Sequence, residues 1–428
     1  MSPPPTSRPY SFAELASRFA RPAPINEPPG EPSGAPIIAF CHLSWRGVWQ
    51  RPQQLLSRLA RNHPVLFVET YCRDVPASET HVYPAPGHPN VTILEMHLPA
   101  AHWADGGFID GERRRLLRQY RRGGKLFPDP ILWFNDPMAV TAFAGNCGEQ
   151  AIVYDCMDEL AQFRGAPPEL RQRERTLLAQ ADVVFCGGRK MRDKRLPLNS
   201  NCHFYGTGVD CTHFGSARSE ELAVDSVIAA LSGKVFGYFG VIDERIDYEL
   251  LERLADACPD CSIAMVGPFA KVDPATLPQR PNLHWLGSRA YADLPAITKG
   301  FAVCLMPFAR NEATEYINPT KALEYMATGR PVVSTALDEV KTNFGTVSGI
   351  AQSHEEFIEL CKAAATSPDA TLIQRGLDLA SQNTWESIVG KMERHVAEAI
   401  AGREESMLSE STGTDAVTAH PLSSLKHV

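Results

Sequence analysis

The sequence predicts an α/β protein with two doubly wound parallel-sheet domains that face a common cleft. Short apolar runs of strand length alternate with amphipathic helical stretches in two separate series, the pattern typical of parallel sheets covered by helices. The length of 428 residues suits two such domains with additional tails. Polar loops directly follow several predicted strands, at the edge where open α/β sheets bind ligands.

The first series of elements predicts an N-terminal domain over residues 35–215. Its strand candidates are Ile37–Phe40, Val65–Val68, Val91–Leu94, Ile131–Phe134, Ala151–Tyr154 and Val183–Cys186. Pro52 opens a helix with a leucine-rich inner face. Residues 1–34 are rich in Pro, Ser and Gly, which predicts a flexible N-terminal arm.

The second series predicts a C-terminal domain over residues 216–385, beginning with a polar linker at residues 216–232. Its strand and helix candidates are Lys234–Phe239, Asp247–Ala257, Ile263–Val266, His284–Leu286, Val303–Met306, a strand from Val332, and Glu355–Ala365. A long amphipathic helix over residues 386–401 places Ile388, Met392, Val396 and Ile400 on one face. We expect residues 402–428, rich in Ser, Thr and Glu, to form a disordered tail.

Composition narrows the class of protein. The net charge of −8 argues against a general nucleic-acid binder. The sequence shows no apolar run of transmembrane length and no signal-peptide pattern, which predicts a cytoplasmic protein. Eleven dispersed cysteines predict buried free thiols, and a single C-x-x-C pair, Cys258 and Cys261, does not predict a metal site. We expect no metal and no cofactor.

The stretch Asn318–Thr335 is the most informative in the sequence. Asn318 is a suitable N-cap, Pro319 suits the first helical position, and Gly329 ends the predicted helix before the strand at Val332. Lys321 lies near the positive end of that helix, where an anion is favoured. Glu324 lies one turn further along, where it can accept hydrogen bonds from hydroxyl groups. A nucleotide-sugar carries phosphate groups beside sugar hydroxyls, so this stretch predicts a nucleotide-sugar site.

Three further loops carry candidate ligand-binding residues. The loop after the first strand contains His42 and the five candidate sugar- or phosphate-contacting residues Trp45, Arg46, Trp49, Gln50 and Arg51. Asp155 and Asp158 follow another strand and could orient an acceptor hydroxyl or cap a helix. In the second series, Gly240 permits close backbone approach, and Arg245 could reach a diphosphate or pair with Asp243.

Several common motifs are missing. The sequence contains no G-x-x-x-x-G-K-[ST] phosphate loop, no G-x-S-x-G elbow and no H-E-x-x-H zinc motif. The segment from Gly206 to Cys211 lacks the last glycine of the dinucleotide fingerprint. These features argue against a nucleotide triphosphatase and against a nicotinamide oxidoreductase.

The four segments together resemble bacterial glycosyltransferases of the two-domain, Rossmann-like GT-B type, in the large retaining family-4 group. The likeness is greatest to a subgroup near teichuronic-acid and exopolysaccharide synthesis. It rests on residues 45–60, on residues 153–159, on residues 237–245, and on Asn311-Glu-Ala-Thr through Pro331-Val-Val. The segments span roughly residues 36–400.

The resemblance implies specific roles for these residues. Arg245 and Lys321 would hold the donor diphosphate, Glu324 the ribose hydroxyls, and the loop containing Gly287 and Arg289 the base. The remaining donor-site candidates are Tyr316, Asn318 and Thr320. Tyr316 stands where the family's E-x7-E pattern has its first glutamate, and Glu324 matches the second. The C-terminal helix would cross back to the first domain.

The predicted function is transfer of a sugar, with retention and without a metal, from a nucleotide-diphosphate-sugar to a glycan, a lipid-linked molecule or another hydroxyl acceptor. His42, Asp155 or Asp158 would position that hydroxyl. Two alternatives stay open: a GT-B nucleotide-sugar epimerase, and a non-catalytic partner in a glycan-synthesis complex.

A cluster of basic residues over Arg113–Lys125 has two interpretations. Seven arginines and lysines lie in this predicted helix and its end, inside an otherwise acidic chain. Such a surface could hold the inner face of an anionic membrane or a lipid-diphosphate acceptor, or it could be a solvated helix.

Overall fold

The computed structural model of the protein describes residues 32–47, 49–122, 126–162, 165–311, 314 and 319–413. The fourteen described strands are β1 (Ile37–Phe40), β2 (Val65–Arg73), β3 (Glu79–Ala85), β4 (His88–Pro99), β5 (Ile131–Phe134), β6 (Ala151–Cys156), β7 (Val183–Cys186), β8 (Cys202–Phe204), β9 (Lys234–Phe239), β10 (Cys261–Val266), β11 (Leu283–Gly287), β12 (Phe301–Met306), β13 (Val332–Thr335) and β14 (Gly349–Ala351).

The described α-helices lie between these strands and at the C-terminal end. They are α1 (Arg51–Leu59), α2 (Gly106–Arg122), α3 (Val140–Phe143), α4 (Leu170–Gln180), α5 (Arg189–Arg195), α6 (Cys211–Gly215), α7 (Ser226–Ala229), α8 (Tyr248–Ala257), α9 (Leu294–Lys299), α10 (Lys321–Ala327), α11 (Asp338–Phe344), α12 (His354–Thr366), α13 (Ala370–Gln382) and α14 (Trp385–Gly413).

The strands form two separate sheets. The first has eight strands in the order β3-β4-β2-β1-β5-β6-β7-β8, and the second has six in the order β11-β10-β9-β12-β13-β14. Every pairing is parallel except that of the edge strand β3 with β4. The order reverses direction next to β1 in the first sheet and next to β9 in the second, as in doubly wound folds. The predicted fold class is confirmed.

The boundary between the domains lies earlier than residue 215. Val209 and Phe214 are buried in the core of the second sheet, and so is Ile228 from the predicted linker. The chain therefore leaves the first sheet after β8 and joins the second before Val209, because the short helices α6 and α7 supply apolar side chains to the second core.

The C-terminal helix α14 returns to the first domain. Trp385, Ile388, Met392 and Val396 are buried in the core on one face of the first sheet, as the amphipathic pattern predicts. The helix continues to Gly413, so the prediction of disorder from residue 402 is wrong for residues 402–413. Residues 414–428 lie outside the described part of the chain, as do residues 1–31 of the predicted arm.

Two chain segments cross between the domains side by side. The amide of Val209 donates to the carbonyl of Asn383 at 3.0 Å, and the amide of Trp385 donates back to the carbonyl of Val209 at 3.4 Å. From α1, the Arg58 guanidinium Nε donates to Glu386 Oε1 at 2.7 Å, with Asp210 Oδ2 3.7 Å from its Nη2. One arginine of the first domain thus contacts both crossing segments.

Candidate functional site

The backbone at the carboxyl end of β9 lies directly against the side chain of Lys321. Gly240 has φ of +138°, a conformation that L side chains rarely adopt, and its amide donates to the carbonyl of Val266 at 2.8 Å. A methyl group at Gly240 would lie 2.6 Å from Lys321 Nζ. The Lys321 side chain therefore crosses directly over this glycine, and its Nζ lies 5.4 Å from the centre of the Tyr238 ring.

Helix α10 presents Lys321 and Glu324 one turn apart, both half-buried. The helix begins at Lys321 with Thr320 at the N-cap position, so the prediction that Asn318 is the N-cap is wrong. Asn318 itself, like Tyr316, lies outside the described residues. The buried Tyr325 fixes the helix against β9, because its hydroxyl accepts the Phe239 amide at 2.9 Å.

Burial shifts the ionisation of this pair in opposite directions. Loss of hydration, together with the nearby charge of Arg245, lowers the pKa of Lys321 to about 8, against the attraction of Glu324 and Asp243. Loss of hydration also raises the pKa of Glu324 to about 7, against the attraction of Lys321. A bound anion would replace the missing hydration of Lys321 and favour its charged form.

Arg245 pairs with Asp243, the alternative that the sequence left open. Its Nε lies 2.9 Å from both carboxylate oxygens and its Nη2 lies 2.6 Å from Oδ2. The Arg245 side chain is nonetheless 38 % exposed. It faces the cleft, since its charge acts on Lys321 of its own domain and on Asp158 of the other. Asp243 therefore orients Arg245 rather than removing it from the cleft.

The loop after β11 lies next to the Gly240 turn. The Gly267 amide donates to the carbonyl of Gly287 at 2.9 Å, and Gly287 has φ of +68°. The Arg289 guanidinium folds back to the carbonyls of Leu286 at 2.7 Å and Ser288 at 3.0 Å. Gly287 and Arg289 thus border the same edge of the second sheet.

Across the cleft, Asp158 of the first domain lies close enough to Arg245 of the second for their charges to interact. It is half-buried, and loss of hydration raises its pKa, while the charges of His42, Arg245 and Arg51 act in the opposite sense. His42 is exposed at the end of β1. Asp158 thus lies near His42 of its own domain and near Arg245 of the second domain.

Asp155 does not belong to this group, which corrects the expectation that it contacts an acceptor. It is fully buried, and its carboxylate accepts Arg51 Nε at 2.9 Å and Asn135 Nδ2 at 3.0 Å. The Arg51 Nη1 donates onward to the carbonyls of Tyr205 and Gly206, both at 2.8 Å. Asp155 and Arg51 hold the end of the first sheet against the crossing segment, because a buried charge needs a partner.

Two of the five candidate acceptor residues are therefore corrected to structural roles. Arg51 is buried in that ion pair, and Trp45 is 2 % exposed. The Trp45 indole packs edge-on against Phe67 and Trp49, and its amide donates to Glu69 Oε1 at 2.7 Å. Aromatic residues in a loop after a strand predicted ligand binding, but Trp45 instead packs into the apolar core beneath the loop.

The other three candidates stay within reach of a ligand. Arg46 is exposed, with its guanidinium 4.1 Å from the centre of the Tyr83 ring. Gln50 is exposed at the N-cap of α1, and Trp49 is half-buried and stacks on His88 at 5.4 Å.

One interdomain contact was not predicted from the sequence. Tyr291 of the second domain lies close to Gln54 and Arg58 of α1, and its ring stacks on His213 with the ring centres 4.3 Å apart. Burial raises the pKa of Tyr291, and so does the nearby charge of Glu324. Tyr291 lies only four residues after β11, and this position after a strand could have identified it as a candidate residue of the cleft.

The basic helix α2 is largely committed to its own domain. Arg113 is buried and donates to the carbonyl of Met138 at 3.0 Å. Arg114 donates to the carbonyl of Thr141 at 2.9 Å, and Arg121 to those of Cys147 and Phe127 at 2.8 Å. Arg115 pairs with Glu112, and Arg118 is exposed. Lys125 lies outside the described residues. These contacts support the solvated-helix interpretation.

Among the described residues, none of the helices combines the length and the apolar character needed to span a bilayer.

The fold and its site define a class. Two doubly wound domains with a crossover helix, joined by paired crossing segments, form the GT-B fold. Sucrose-phosphate synthase from Thermosynechococcus elongatus superposes with a TM-score of 0.63 at 14% identity over 86% of this chain and 100% of that one. Anabaena HepE, in complex with UDP and glucose, gives 0.62 at 14% over 85% and 100%. The E. coli trehalose-6-phosphate structure, bound with UDP-2-fluoro glucose, gives 0.63 at 12% over 86% and 99%. At these identities the likeness establishes the fold.

Sequence matches narrow the class. Residues 234–364 match the family described as glycosyl transferases group 1. TuaH of Bacillus subtilis (strain 168), whose name assigns it as a glycosyltransferase to teichuronic acid biosynthesis, is 26% identical over 204 residues. The match covers 44% of this chain and about half, 50%, of TuaH. The fold is thus that of GT-B proteins, and the match to the group 1 glycosyl transferases lies in the second domain.

Proposed function

We propose that the protein transfers a sugar from a nucleotide-diphosphate-sugar to a hydroxyl acceptor. The observation that carries the proposal is the crossing of Gly240 by Lys321, with Glu324 one helical turn further on. A cation held over a tight glycine turn suits a diphosphate, and a neighbouring carboxylate suits ribose hydroxyls. The family match covers this same part of the chain, residues 234–364.

In the proposed mechanism, Lys321 and Arg245 stabilise the diphosphate as it departs. This is the largest electrostatic demand of the reaction, and both cations are positioned before the substrate arrives, Lys321 over Gly240 and Arg245 by Asp243. Two cations also allow the reaction to proceed without a metal at the diphosphate. We propose transfer with retention, the outcome that the resemblance to the retaining family-4 group implies.

The acceptor is proposed to lie against the first domain. Asp158 lies near His42 and faces Arg245 across the cleft, and Asp158 is the candidate to orient the acceptor hydroxyl. Arg46, Trp49 and Gln50 remain accessible beside them. We propose a glycan or lipid-linked acceptor in cell-surface or exopolysaccharide synthesis, with the enzyme in the cytoplasm. The similarity to TuaH, which is named for teichuronic acid biosynthesis, supports the role in polysaccharide synthesis.

A ligand screen tests the donor site. Nucleotide-sugars with different bases are added to the protein, and a donor that binds the folded form raises the melting temperature. Lys321→Ala removes one charge-assisted contact, worth about 1.5–3 kcal/mol, so we expect roughly 10- to 100-fold weaker binding by calorimetry. Lys362→Ala is the matched control, because Lys362 is exposed on α12 and pairs with Glu359.

The outcomes separate the alternatives. A protein that binds none of the nucleotide-sugars would be a non-catalytic partner, and the proposal would fail. Conversion of the donor alone to a second sugar isomer would identify an epimerase. Release of nucleoside diphosphate that depends on added acceptor supports transfer. Unchanged affinity in Lys321→Ala would refute the placement of the diphosphate.

A further inference from the structure

One face of the first sheet changes from apolar to polar where strands β2 and β4 extend beyond the end of β1. Strand β1 pairs with β2 only over Val65–Val68, whereas β2 and β4 stay paired as far as Arg73 and Pro99. On this face the buried residues Phe67 and Ile93 are followed by polar residues two and four positions further along each strand, which are Glu69 and Tyr71 on β2 and Glu95 and His97 on β4. The extension therefore carries a polar surface beyond the core.

The antiparallel edge strand β3 completes this surface. Its register places Glu79 opposite His97 and His81 opposite Glu95. Alternate residues of a strand share a face, so these four side chains lie on one side of the ribbon as two neighbouring cross-strand pairs. Two imidazoles and two carboxylates are thereby brought together from positions up to eighteen residues apart in sequence.

Three of the four side chains converge on one point. Glu79 Oε1 lies 3.2 Å from His81 Nε2 and 3.8 Å from His97 Nδ1, and one ligand atom from each residue lies within 4.8 Å of the others. The ring centres of the two histidines are 4.5 Å apart. Ligands bound at about 2.0–2.2 Å in a tetrahedral site are themselves about 3.3–3.6 Å apart, so only small side-chain movements would be needed.

The fourth residue sets the orientation of His97. Glu95 Oε2 lies 3.1 Å from His97 Nε2, and the Tyr83 hydroxyl donates to the other carboxylate oxygen. With Nε2–H donating to Glu95, the lone pair of His97 is on Nδ1, the nitrogen that faces Glu79. A carboxylate behind a metal-binding histidine fixes its tautomer and raises its basicity in this way.

We propose that Glu79, His81 and His97 form a binding site for a divalent transition-metal ion of the Zn²⁺ type, with Glu95 as the positioning residue. Two imidazoles and one carboxylate suit Zn²⁺ and disfavour Mg²⁺ and Ca²⁺, which prefer oxygen ligands alone. The fourth coordination position is open to water, since Glu79 and His81 are each 52 % exposed while His97 is 15 % exposed. The site lies in the first domain, apart from Lys321 and Glu324, and does not depend on the proposed transfer activity.

Metal binding to the full chain is the test. Purified protein, stripped with a chelator, is titrated with Zn²⁺ at neutral pH against a chromogenic competitor, and with Co²⁺ to record the absorption of a four-coordinate site. We expect one ion per chain, loss of that ion in His81→Ala/His97→Ala, and about 10- to 100-fold weaker binding in Glu95→Gln. Mg²⁺ should not compete.

Two controls keep the result decisive. Cys72→Ser removes the exposed cysteine nearby on β2, and His102→Ala removes an exposed histidine outside the cluster; both should bind the ion as the wild type does. Circular dichroism of each variant without metal confirms folding. An affinity that survives His81→Ala/His97→Ala, or that is lost in Cys72→Ser, would overturn the proposal and leave only exposed histidine–glutamate contacts.

Discussion

Substitution of Asp155 by Asn separates a structural role from a catalytic one. The Asp155 side chain is fully buried and Arg51 is 7 % exposed, so the substitution leaves the guanidinium charge buried without its counter-ion. Breaking a buried pair in this way costs about 3–5 kcal/mol of the free energy of unfolding. For a domain of this size about 2–4 °C of melting temperature corresponds to each kcal/mol, so we expect a fall of roughly 10 °C.

Urea unfolding followed by tryptophan fluorescence measures this loss of stability in the first domain. Four of the six tryptophans, Trp45, Trp49, Trp103 and Trp133, belong to the first domain. Because the second domain supplies the proposed donor site, nucleotide affinity at low temperature should stay unchanged.

The control for this prediction lies at the same edge of the sheet. Asp136 caps a short 3-10 helix by accepting the Met138 amide at 2.9 Å, and Asn caps equally well, so Asp136→Asn should shift stability by less than about 0.5 kcal/mol. Replacing both partners, Arg51→Met with Asp155→Leu, should recover part of the loss, because no charge is left buried. A stable Asp155→Asn variant that binds donor but has lost turnover would refute the reasoning and restore a catalytic role.

Two further predictions concern the donor site. Affinity for the nucleoside diphosphate that binds should fall about tenfold per pH unit above the Lys321 pKa of about 8, since only the charged amine attracts the anion. Lys321→Arg should abolish this decline, and an equal decline in that variant would contradict the assignment. Gly240→Ala should lose donor binding while the protein stays folded, because the added methyl group meets Lys321 at a backbone φ of +138°. Calorimetry compares Gly240→Ala with the exposed control Gly402→Ala. Wild-type affinity in Gly240→Ala would show that donor binding does not depend on the position of the Lys321 side chain over Gly240.

The local pattern of the chain was enough to predict the parallel sheets. Strands such as Ile37–Phe40 and Val183–Cys186 are buried on both faces and read as continuous apolar runs, so their bounds were predicted as the structure has them. The edge strand Glu79–Ala85 and the short strands β8 and β14 were missed. Edge strands are half exposed and mixed in composition, and their pairing partners, rather than their own residues, determine them.

The rule that ligands bind at strand ends brought second-domain candidates together, whereas in the first domain it also selected buried residues. Lys321 and Gly240 are far apart in sequence, yet both follow strands of the same sheet, and the common carboxyl edge brings them into contact. In the first domain the same rule pointed to Trp45 and Asp155, which turned inward. Whether a polar or aromatic side chain after a strand faces the cleft or the core depends on the neighbouring elements.

The sequence by itself determined the two doubly wound domains, the crossover helix and the strand ends that carry the proposed donor residues, because hydrophobic periodicity and turn residues act locally. The tertiary structure decided the roles of Arg51 and Asp155, the crossing near Val209 and the grouping of Glu79, His81 and His97. These depend on strand register, on helices packed from distant parts of the chain, and on the need of each buried charge for a partner. That information lies in contacts between residues far apart in sequence.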